Sequence, residues 1–396
     1  MRINTLWPSM KLGDAFEILT GNTPSTIEKK YYGNDVLFAK PPDLNNSLIT
    51  STGNFLSFEG ANAARTVPAG SVLVSCIGIL GKTGLLKNEG SFNQQINAIK
   101  PNNRAIPKFL FYQAQSPYFQ RQLSELASAT TVAIVNKSKF SSIEILLPAI
   151  DIQTRVVAKL DALFSDLDKS VACLKKAQEQ LKVYRQAVLK AAFEADSSPK
   201  EETVELSEVC EIQRGKSKHR PRDDERLYGG IYPFIQTGDV RAANGGIIEK
   251  YTQTYSEFGI RQSKLWPKGT LCITIAANIA DTGFLGFEAC FPDSVVGLLP
   301  KSDRLRIEYL NYYIIANKDH LERLAPATAQ KNINVNILER INFALPSLNY
   351  QDKAIEAIKH QFKAADQLED NIGKAMSLTN IFRQSILKSA FEGRLI

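Results

Sequence analysis

The feature that most constrains the fold of this chain is an internal repeat. The residues from Leu147 onward read LPAIDIQTRVVAKLDALFSDLDKSVACLKKAQEQLKVYRQAVLKAAFEA, and those from Leu345 onward read LPSLNYQDKAIEAIKHQFKAADQLEDNIGKAMSLTNIFRQSILKSAFEG. The segments align without a gap at a shift of 198 residues, half of the 396-residue chain, so that Arg185 corresponds to Arg383. A match of this length indicates two tandem units of equal size.

Each repeated segment predicts a single long helix. After the opening Leu-Pro, each copy runs for about 44 residues without proline, which corresponds to a helix of about 66 Å. Apolar residues recur at intervals of three and four, as in the seam of a coiled coil. The seam residues are Leu160, Phe164, Leu167, Val171, Leu174, Ala177, Leu181, Tyr184 and Val188 in the first copy, and Ile358, Phe362, Ala365, Ile372, Ala375, Phe382 and Ile386 in the second.

Neither segment has anything else to cover its seam, so we expect the two helices to form an intramolecular coiled coil. Glu369 and Thr379 interrupt the seam of the second copy. Packing of each helix on its own domain, or against another chain, is the alternative.

The other part of each unit predicts an α+β globular domain. Short β-rich runs, punctuated by glycine and proline, occur at 71–77, 143–147, 270–275 and 341–345. The two domains resemble each other more weakly than the helices do, most clearly where Leu12–Gly21 matches Leu206–Gly215 and Tyr32-Gly33 matches Tyr228-Gly229. The predicted segments are a first globular domain at 1–146, a helical region at 147–196, a polar linker at 197–204, a second globular domain at 205–344 and a second helical region at 345–396.

Composition excludes several classes of protein. The chain has 48 Lys plus Arg against 41 Asp plus Glu, a net charge of +7 that suits an anionic partner but also fits a solvated, lysine-rich surface. Its five cysteines are far apart and only three histidines accompany them, which argues against a structural zinc site. The apolar runs are too short to cross a bilayer and the amino end lacks a signal-peptide pattern, so we expect a cytoplasmic protein without a membrane partner.

Two fragments resemble catalytic motifs, but each lacks a residue that the chemistry needs. Gly78–Thr83 resembles a phosphate-binding loop whose first glycine would fall at Cys76. The Lys-Pro-Pro-Asp sequence at 40–43 resembles the loop with which amino-methyltransferases hold a flipped base, yet Lys40 stands at the acceptor position and Asp43 at the stacking aromatic. We therefore expect a binding protein with no catalytic residue, cofactor or metal of its own.

The densest basic stretch runs from Arg214 to Arg222 and precedes an acidic patch at 223–225. A basic loop that contains glycine can approach a phosphate backbone closely and place Arg or Lys on the O6 and N7 acceptors of guanine. The matching loop of the first unit, Gly21 to Tyr32, is less basic but offers Asn, Thr and Tyr side chains. A loop that is simply solvated is the alternative.

The order of these motifs resembles that of the specificity subunit of type I restriction-modification enzymes. The resemblance covers essentially the whole chain and is strongest in Tyr184–Ala195, in Phe382–Gly393 and in the Gly238-Asp239-Val240 block that follows Tyr228. The first unit departs from the pattern, because it has Lys-Pro-Pro-Asp-Leu at 40–44 where the family usually has a Gly-Asp step. This departure leaves the loop geometry around Asp43 open.

The resemblance implies a function in DNA recognition. Each globular domain would be a target recognition domain that reads one half of a bipartite, interrupted DNA sequence, and the two helices would form an antiparallel coiled coil between them. Because the two domains differ, we expect an asymmetric target on double-stranded DNA. Two methyltransferase subunits would use S-adenosylmethionine to methylate adenine N6, and restriction subunits, where encoded, would use ATP and Mg²⁺ to cleave unmodified DNA.

Site residues follow from the basic loops and from the resemblance. The predicted DNA contacts are Thr20, Gly21, Asn22, Thr23, Lys29, Lys30, Lys40 and Lys82 in the first domain, and Arg214, Lys216, Lys218, His219, Arg220, Arg222, Gln236, Thr237 and Arg241 in the second. The predicted contacts with the methyltransferase subunits are the matched positions Arg185, Gln186, Lys190, Arg383, Gln384 and Lys388, taken to be exposed.

Other functions compete with this prediction. A coiled-coil scaffold or adaptor would use its globular domains to bind proteins, and its basic loops would only be solvated surface. A self-sufficient nuclease or methyltransferase would need the cofactor and metal motifs that the sequence lacks.

Overall fold

The structure is a computed structural model that describes residues 7–128, 132–194, 202–276, 279–324 and 332–396. It divides into two compact units, which we call unit 1 (Met1–Lys176 with Ile372–Ile396) and unit 2 (Ala177–Asn371). Both long helices are divided between the units. Each unit therefore contains the first part of one long helix and the last part of the other.

The elements of unit 1 are strands and short helices followed by the first long helix. The strands are β1 (Ser9–Lys11), β2 (Ile18–Thr20), β3 (Tyr32–Ala39), β4 (Ser47–Ile49), β5 (Phe55–Leu56), β6 (Thr66–Val67), β7 (Val72–Ser75), β8 (Thr83–Leu86), β9 (Gly90–Phe92), β10 (Ile96–Ile99) and β11 (Glu144–Leu146). The helices are α1 (Leu12–Ala15), α2 (Phe58–Ala63), α3 (Pro107–Gln115), α4 (Pro117–Glu125), α5 (Lys137–Ser141) and α6 (Ile150–Glu194).

The elements of unit 2 follow a similar, though not identical, order. The strands are β12 (Glu202–Glu205), β13 (Cys210–Arg214), β14 (Tyr228–Phe234), β15 (Ile247–Ile248), β16 (Gln253–Tyr255), β17 (Leu271–Thr274), β18 (Thr282–Leu285), β19 (Val295–Pro300) and β20 (Asn342–Leu345). The helices are α7 (Leu206–Val209), α8 (Thr237–Ala243), α9 (Glu257–Arg261), α10 (Ile307–Ala316), α11 (Lys318–Leu324), α12 (Val335–Glu339) and α13 (Leu348–Phe391).

The globular parts share one sheet topology. Unit 1 has a five-stranded sheet in the order β2-β10-β7-β8-β4, and unit 2 has one in the order β13-β19-β17-β18-β15. In both sheets the last strand is parallel to its neighbour and the other pairs are antiparallel. The β-rich runs predicted from the sequence correspond to β7, β11, β17 and β20, so those predictions are confirmed. The duplication thus extends to the globular parts, where the sequence similarity is weak.

Both long helices are continuous, and they pack as an antiparallel pair. In unit 1 the end of α13 buries Leu387 and Phe391 in the core that contains Leu160 and Phe164 from the first part of α6. In unit 2 the end of α6 meets the first part of α13, where the Tyr184 hydroxyl donates to Gln361. The predicted intramolecular coiled coil is confirmed.

The predicted seam is wrong at one matched pair of positions. Tyr184 is 40% exposed and Phe382 is 55% exposed. The next residues along each helix, Arg185 and Arg383, turn inward instead and are only partly exposed. The assumption that these two arginines are exposed therefore needs correction as well.

The inward arginines make the same cluster in each unit. In unit 1 the Arg383 guanidinium lies 4.4 Å from the centre of the Phe164 ring and 2.5 Å from an Asp168 carboxylate oxygen. In unit 2 Arg185 lies 5.4 Å from the Phe362 ring and 2.6 Å from Asp366, and it also binds Glu369 at 3.0 Å. The two rings and the two aspartates are related by the same 198-residue shift as the arginines. A cation over an aromatic face stabilises the pairing of the helices where an aliphatic seam residue is missing.

A buried glutamine joins each long helix to the globular part of its unit. The Gln153 amide oxygen accepts from the Ile106 N–H at 2.9 Å, and its nitrogen donates to the carbonyls of Arg104 and Pro148. In unit 2 Gln351 makes the corresponding three bonds to the N–H of Arg306 and the carbonyls of Arg304 and Pro346. Both side chains are fully buried. All three bonds are needed, because a buried peptide group without a partner is costly.

We expect Gln153→Leu to lower the free energy of unfolding by about 2 to 4 kcal/mol, because it leaves a buried N–H and two carbonyls unpaired at about 1 to 3 kcal/mol each before relaxation. Urea unfolding followed by circular dichroism measures this change. Gln180→Leu, at an exposed position of the same helix, is the matched control and should change stability little. Equal stability of the two variants would contradict the proposed role of Gln153.

Candidate nucleic-acid interface

Each globular part carries a long loop that begins at a glycine. Gly21 follows β2 and Gly215 follows β13, and both are buried. A Cβ atom on Gly21 would lie 2.2 Å from the Asn93 carbonyl oxygen, and one on Gly215 would lie 2.3 Å from that of Phe291. Any side chain would therefore push the loop away from the sheet. We call residues 21–31 the first loop and residues 215–227 the second loop.

The first loop is held by its polar residues. The Asn22 amide donates to the Ala63 carbonyl and accepts from the Arg65 N–H, so both ends of this side chain are occupied. The Thr20 hydroxyl donates to Asn97, and the Thr23 hydroxyl donates to Gln94. These bonds give Asn22 and Thr20 a structural role beside the predicted contact with DNA. Thr23 is exposed and remains accessible to a ligand.

The lysines of the first domain differ in their surroundings. Lys29 is exposed. Lys30 forms an ion pair with Glu59 at 2.7 Å, and this hydrogen bond raises the pKa of the lysine. Lys82 lies on the turn between β7 and β8, next to a turn glycine whose carbonyl accepts from Gln120, and not on the first loop. The first loop therefore contains two lysines, of which Lys30 is paired and Lys29 has no ion-pair partner among the described residues.

The second loop and the end of the preceding strand β13 contain arginines that bind within the unit. The Arg222 guanidinium forms an ion pair with both oxygens of Asp293 at 2.8 and 3.0 Å, and Arg214 donates to the Asp293 carbonyl. Arg220 donates to the carbonyls of Ser217 and His219. These bonds shape the loop and partly neutralise its charge.

His219 belongs to a cluster that the sequence did not reveal. Its Nε2 atom lies 2.7 Å from Asp224, and its ring packs edge-on against Phe258 at 5.2 Å. Arg226 binds the same aspartate and covers the same phenylalanine at 5.2 Å. The hydrogen bond from Arg226 holds the pKa of the Asp224 carboxyl well below its usual range. The cluster anchors the far end of the second loop.

Lys216 and Lys218 are exposed on the second loop. Among the described residues, neither ammonium group has a hydrogen-bond or ion-pair partner. The backbone around them is fixed, because the Ser263 hydroxyl donates to the Lys216 carbonyl and the His219 N–H donates to Gln262. An unpaired ammonium on an ordered loop is well suited to a phosphate contact.

Lys40 and Gln236 stand at corresponding places at the end of β3 and β14. The Lys40 N–H donates to Asp43 at 2.8 Å, and the Gln236 N–H donates to Asp239 at the same distance. The departure of the first unit from the family pattern therefore leaves this backbone turn unchanged, because Asp43 forms the same cap as Asp239. Thr237 and Arg241 lie on α8, and Arg241 is exposed.

Loop and turn lie at one edge of each unit. In unit 1 the Asn22 N–H donates to the Phe92 carbonyl. The N–H of Asn93, which follows Phe92, donates to the carbonyl of Ala39, the residue before Lys40. In unit 2 the second loop starts against Phe291, and the Ile235 N–H, beside Gln236, donates to Cys290. The structure thus brings together most of the predicted DNA contacts of each unit, and it leaves Lys82 on a different turn.

Sequence reasoning missed several residues at these edges. Arg65, Gln94, Asp293 and Phe258 contact predicted site residues, and Arg226 binds Asp224, the partner of His219. Arg226 corresponds to Lys30, since each has its carbonyl bonded to the serine that begins the following helix. The sequence match of Tyr32-Gly33 with Tyr228-Gly229 already aligns Lys30 with Arg226. The other contacts join residues distant along the chain, so no local pattern signals them.

A family model described as the type I restriction modification DNA specificity domain matches residues 4–181 and 200–375. The chain belongs to this family. The two matches repeat the tandem organisation of the sequence, and together they cover most of the 396 residues.

Individual relatives agree with this family. The chain is 37% identical over 168 residues to the HindI specificity subunit of Haemophilus influenzae, an alignment that spans 40% of this chain and 37% of that subunit. It is 22% identical over 344 residues to the StySPI specificity subunit of Salmonella potsdam, spanning 80% of this chain and 72% of that subunit.

Two solved structures share the fold. The HsdS subunit from Thermoanaerobacter tengcongensis matches with a TM-score of 0.61 at 19% identity, covering 100% of this chain and 98% of that one. A chain from a study of complex assembly and conformational transition in the type I restriction-modification system matches with a TM-score of 0.72 at 20% identity and 98% coverage of both chains. Within the described residues no helix is both long enough and apolar enough to span a membrane.

We expect Lys218→Ala to weaken binding of the assembled complex to all DNA sequences and to reduce the slope of log affinity against log salt by about 1, the value for one lost phosphate contact. Arg222→Ala should have a smaller effect on the slope, because Asp293 already pairs with that charge. Fluorescence anisotropy across a salt series measures both. Lys301 lies beside the opposite end of β13 from Arg214, so Lys301→Ala is the control and should leave the slope unchanged. A Lys218→Ala variant that also leaves the slope unchanged would contradict the assignment of Lys218 as a phosphate contact.

Proposed function

We propose that this chain reads a bipartite, interrupted DNA target and directs partner subunits of a type I restriction-modification complex to it. The observation that carries this proposal is the match of the DNA specificity family to both halves of the chain. The adaptor function is not favoured, because membership of this family links both globular parts to DNA specificity rather than to protein binding.

The duplicated scaffold supports two half-sites. Each unit contains a sheet of the same topology and, at one edge, a loop that begins at a buried glycine. A protein with two similar reading edges matches a target with two parts, as paired DNA-binding modules match paired half-sites.

The loops differ in chemistry, which supports an asymmetric target. The basic and imidazole side chains of the first loop are Lys29 and Lys30, whereas those of the second loop are Lys216, Lys218, His219, Arg220, Arg222 and Arg226. Two loops with such different hydrogen-bonding groups would not select the same bases.

The chemistry of modification and cleavage belongs, in this proposal, to partner subunits. Methyltransferase subunits would bind S-adenosylmethionine and methylate adenine N6, and restriction subunits, where encoded, would bind ATP and Mg²⁺. The present chain would contribute target selection and the surface on which the partners assemble.

One surface on each long helix fits such a partner. Val183 and Ile381 correspond to each other and are 70% and 62% exposed, and each is followed by the exposed aromatic Tyr184 or Phe382. Gln186 and Gln384 lie one turn further along the same face, and Lys190 and Lys388 lie a second turn along. We call these two sets the matched helix faces. Exposed apolar residues in the same pattern on both helices suit two copies of one partner.

Long-read mapping of N6-methyladenine tests the proposed function. Cells that carry this chain with its neighbouring methyltransferase subunit should show an interrupted, asymmetric methylated motif that is absent from cells with the methyltransferase alone. No dependence of the motif on this chain, in cells where the methyltransferase is expressed and active, would contradict the proposal.

We expect Val183→Asp together with Ile381→Asp to weaken assembly with the methyltransferase subunit at least tenfold, because each substitution places a charge in an apolar contact. Analytical ultracentrifugation without DNA measures assembly. Leu368→Asp is the control, since Leu368 is also exposed on a long helix but corresponds to Ser170. Unchanged assembly of the double variant would exclude the matched helix faces as the contact.

A further inference from the structure

Lys40 and Gln236 occupy equivalent positions in the two reading edges, although their side chains differ in type. The strand pairing establishes the equivalence: Phe38 bonds to Asn54 in unit 1, and Phe234 is paired with Gln253 in unit 2. Each position lies two residues beyond that phenylalanine. The aspartate caps described above then hold the backbone of both positions in the same turn.

A carboxamide on the neighbouring strand holds each side chain. The Lys40 ammonium donates to the Asn54 amide oxygen at 2.9 Å, and the Gln236 amide nitrogen donates to the Gln253 amide oxygen at 2.5 Å. Asn54 immediately precedes β5 and Gln253 begins β16, and each lies opposite the equivalent phenylalanine. The side chains at 40 and 236 are therefore positioned in advance, which lowers the entropy cost of binding a ligand.

The hydrogen-bonding groups that remain differ between the two positions. Lys40 keeps donors only, since an ammonium has three N–H groups and one of them binds Asn54. Gln236 keeps its amide oxygen as an acceptor and one N–H as a donor. Donors alone match the O6 and N7 acceptors of guanine, whereas a donor beside an acceptor matches N7 and N6 of adenine.

We propose that Lys40 and Gln236 are equivalent base-reading positions, Lys40 for a guanine in one half-site and Gln236 for an adenine, other than the methylated one, in the other half-site. This inference rests on the proposed function in DNA recognition. It adds that a single position in a common scaffold distinguishes a G·C pair from an A·T pair.

A purely structural role for these contacts makes a different prediction. If Lys40 and Gln236 only tie two strands together, exchanging them would alter stability and leave the target sequence as it was. Glutamine at position 40 can still donate to Asn54, so Lys40→Gln keeps the strand contact and changes the groups offered to a base.

The experiment is a reciprocal exchange, Lys40→Gln and Gln236→Lys, each in the full chain with its methyltransferase subunit and followed by methylome mapping. We expect Lys40→Gln to convert one guanine of one half-site to a preference for adenine, and Gln236→Lys to convert one adenine of the other half-site to guanine. Each exchange should alter the preference at that position by about 5- to 150-fold and leave the opposite half-site unchanged.

Two variants serve as controls. Lys29→Gln removes the same charge from the exposed first loop and should weaken binding without altering the motif. Lys40→Arg keeps the guanine donors and should keep the motif. If the complex with Lys40→Gln methylates no DNA, competition binding replaces methylome mapping. The purified complex is then offered duplexes that carry each of the four base pairs at the guanine positions, and the rank order of their affinities should still change.

The outcomes separate this inference from the proposed function. An unaltered motif, or an unaltered rank order, in both exchanged variants overturns the inference while the specificity function stands. The inference is also overturned if the half-site that depends on Lys40 contains no G·C pair in the wild-type motif. A motif that does not depend on the chain overturns the proposed function itself.

Discussion

The pairing of the two long helices is the interaction on which the rest of the structure depends. Each helix has an apolar seam that its own repeat cannot cover, and the antiparallel arrangement covers it with the other repeat. As a result Phe391, from the second repeat, lies in the core of unit 1 beside Phe109, and Phe193, from the first repeat, packs against Tyr309 in unit 2. Neither repeat alone could complete either core. The globular parts are thus stabilised by helix segments that come from far along the chain.

The duplicated scaffold separates residues that hold the fold from residues that face a ligand. Gln153 and Gln351 make the same three buried bonds, and Asp43 caps the same turn as Asp239. Burial leaves little freedom at such positions, because an unpaired polar group inside a protein is costly. At the exposed edges the loops differ in charge and the residues at 40 and 236 differ in type. A DNA-recognition protein of this kind can change its target through substitution of exposed side chains, while its backbone stays the same.

The sequence predicted the architecture well and the site less completely. Periodicity and the 198-residue shift predicted the long helices and their pairing, because those signals are local and recur along the chain. The error at Tyr184 and Phe382 arose because apolar spacing does not tell which of two adjacent residues faces the partner helix. Only the packed helices show that Arg185 and Arg383 lie inward over an aromatic ring. The ion pairs that engage Arg222 and Lys30 were invisible for a similar reason, since their partners lie far away in the sequence.

Four properties follow from the amino-acid sequence alone: the tandem duplication, the two long helices, the α+β character of the globular parts and the likeness to a DNA specificity subunit. These properties can be recognised from repeats and from short-range patterns of polarity. The tertiary structure decided which basic side chains remain unpaired and which are used internally. It also decided that a carboxamide from a neighbouring segment holds the side chains of both Lys40 and Gln236. The physical reason is that hydrogen bonds and ion pairs depend on distances between atoms, and only the folded chain brings residues such as Lys40 and Asn54, or Arg222 and Asp293, within reach of each other.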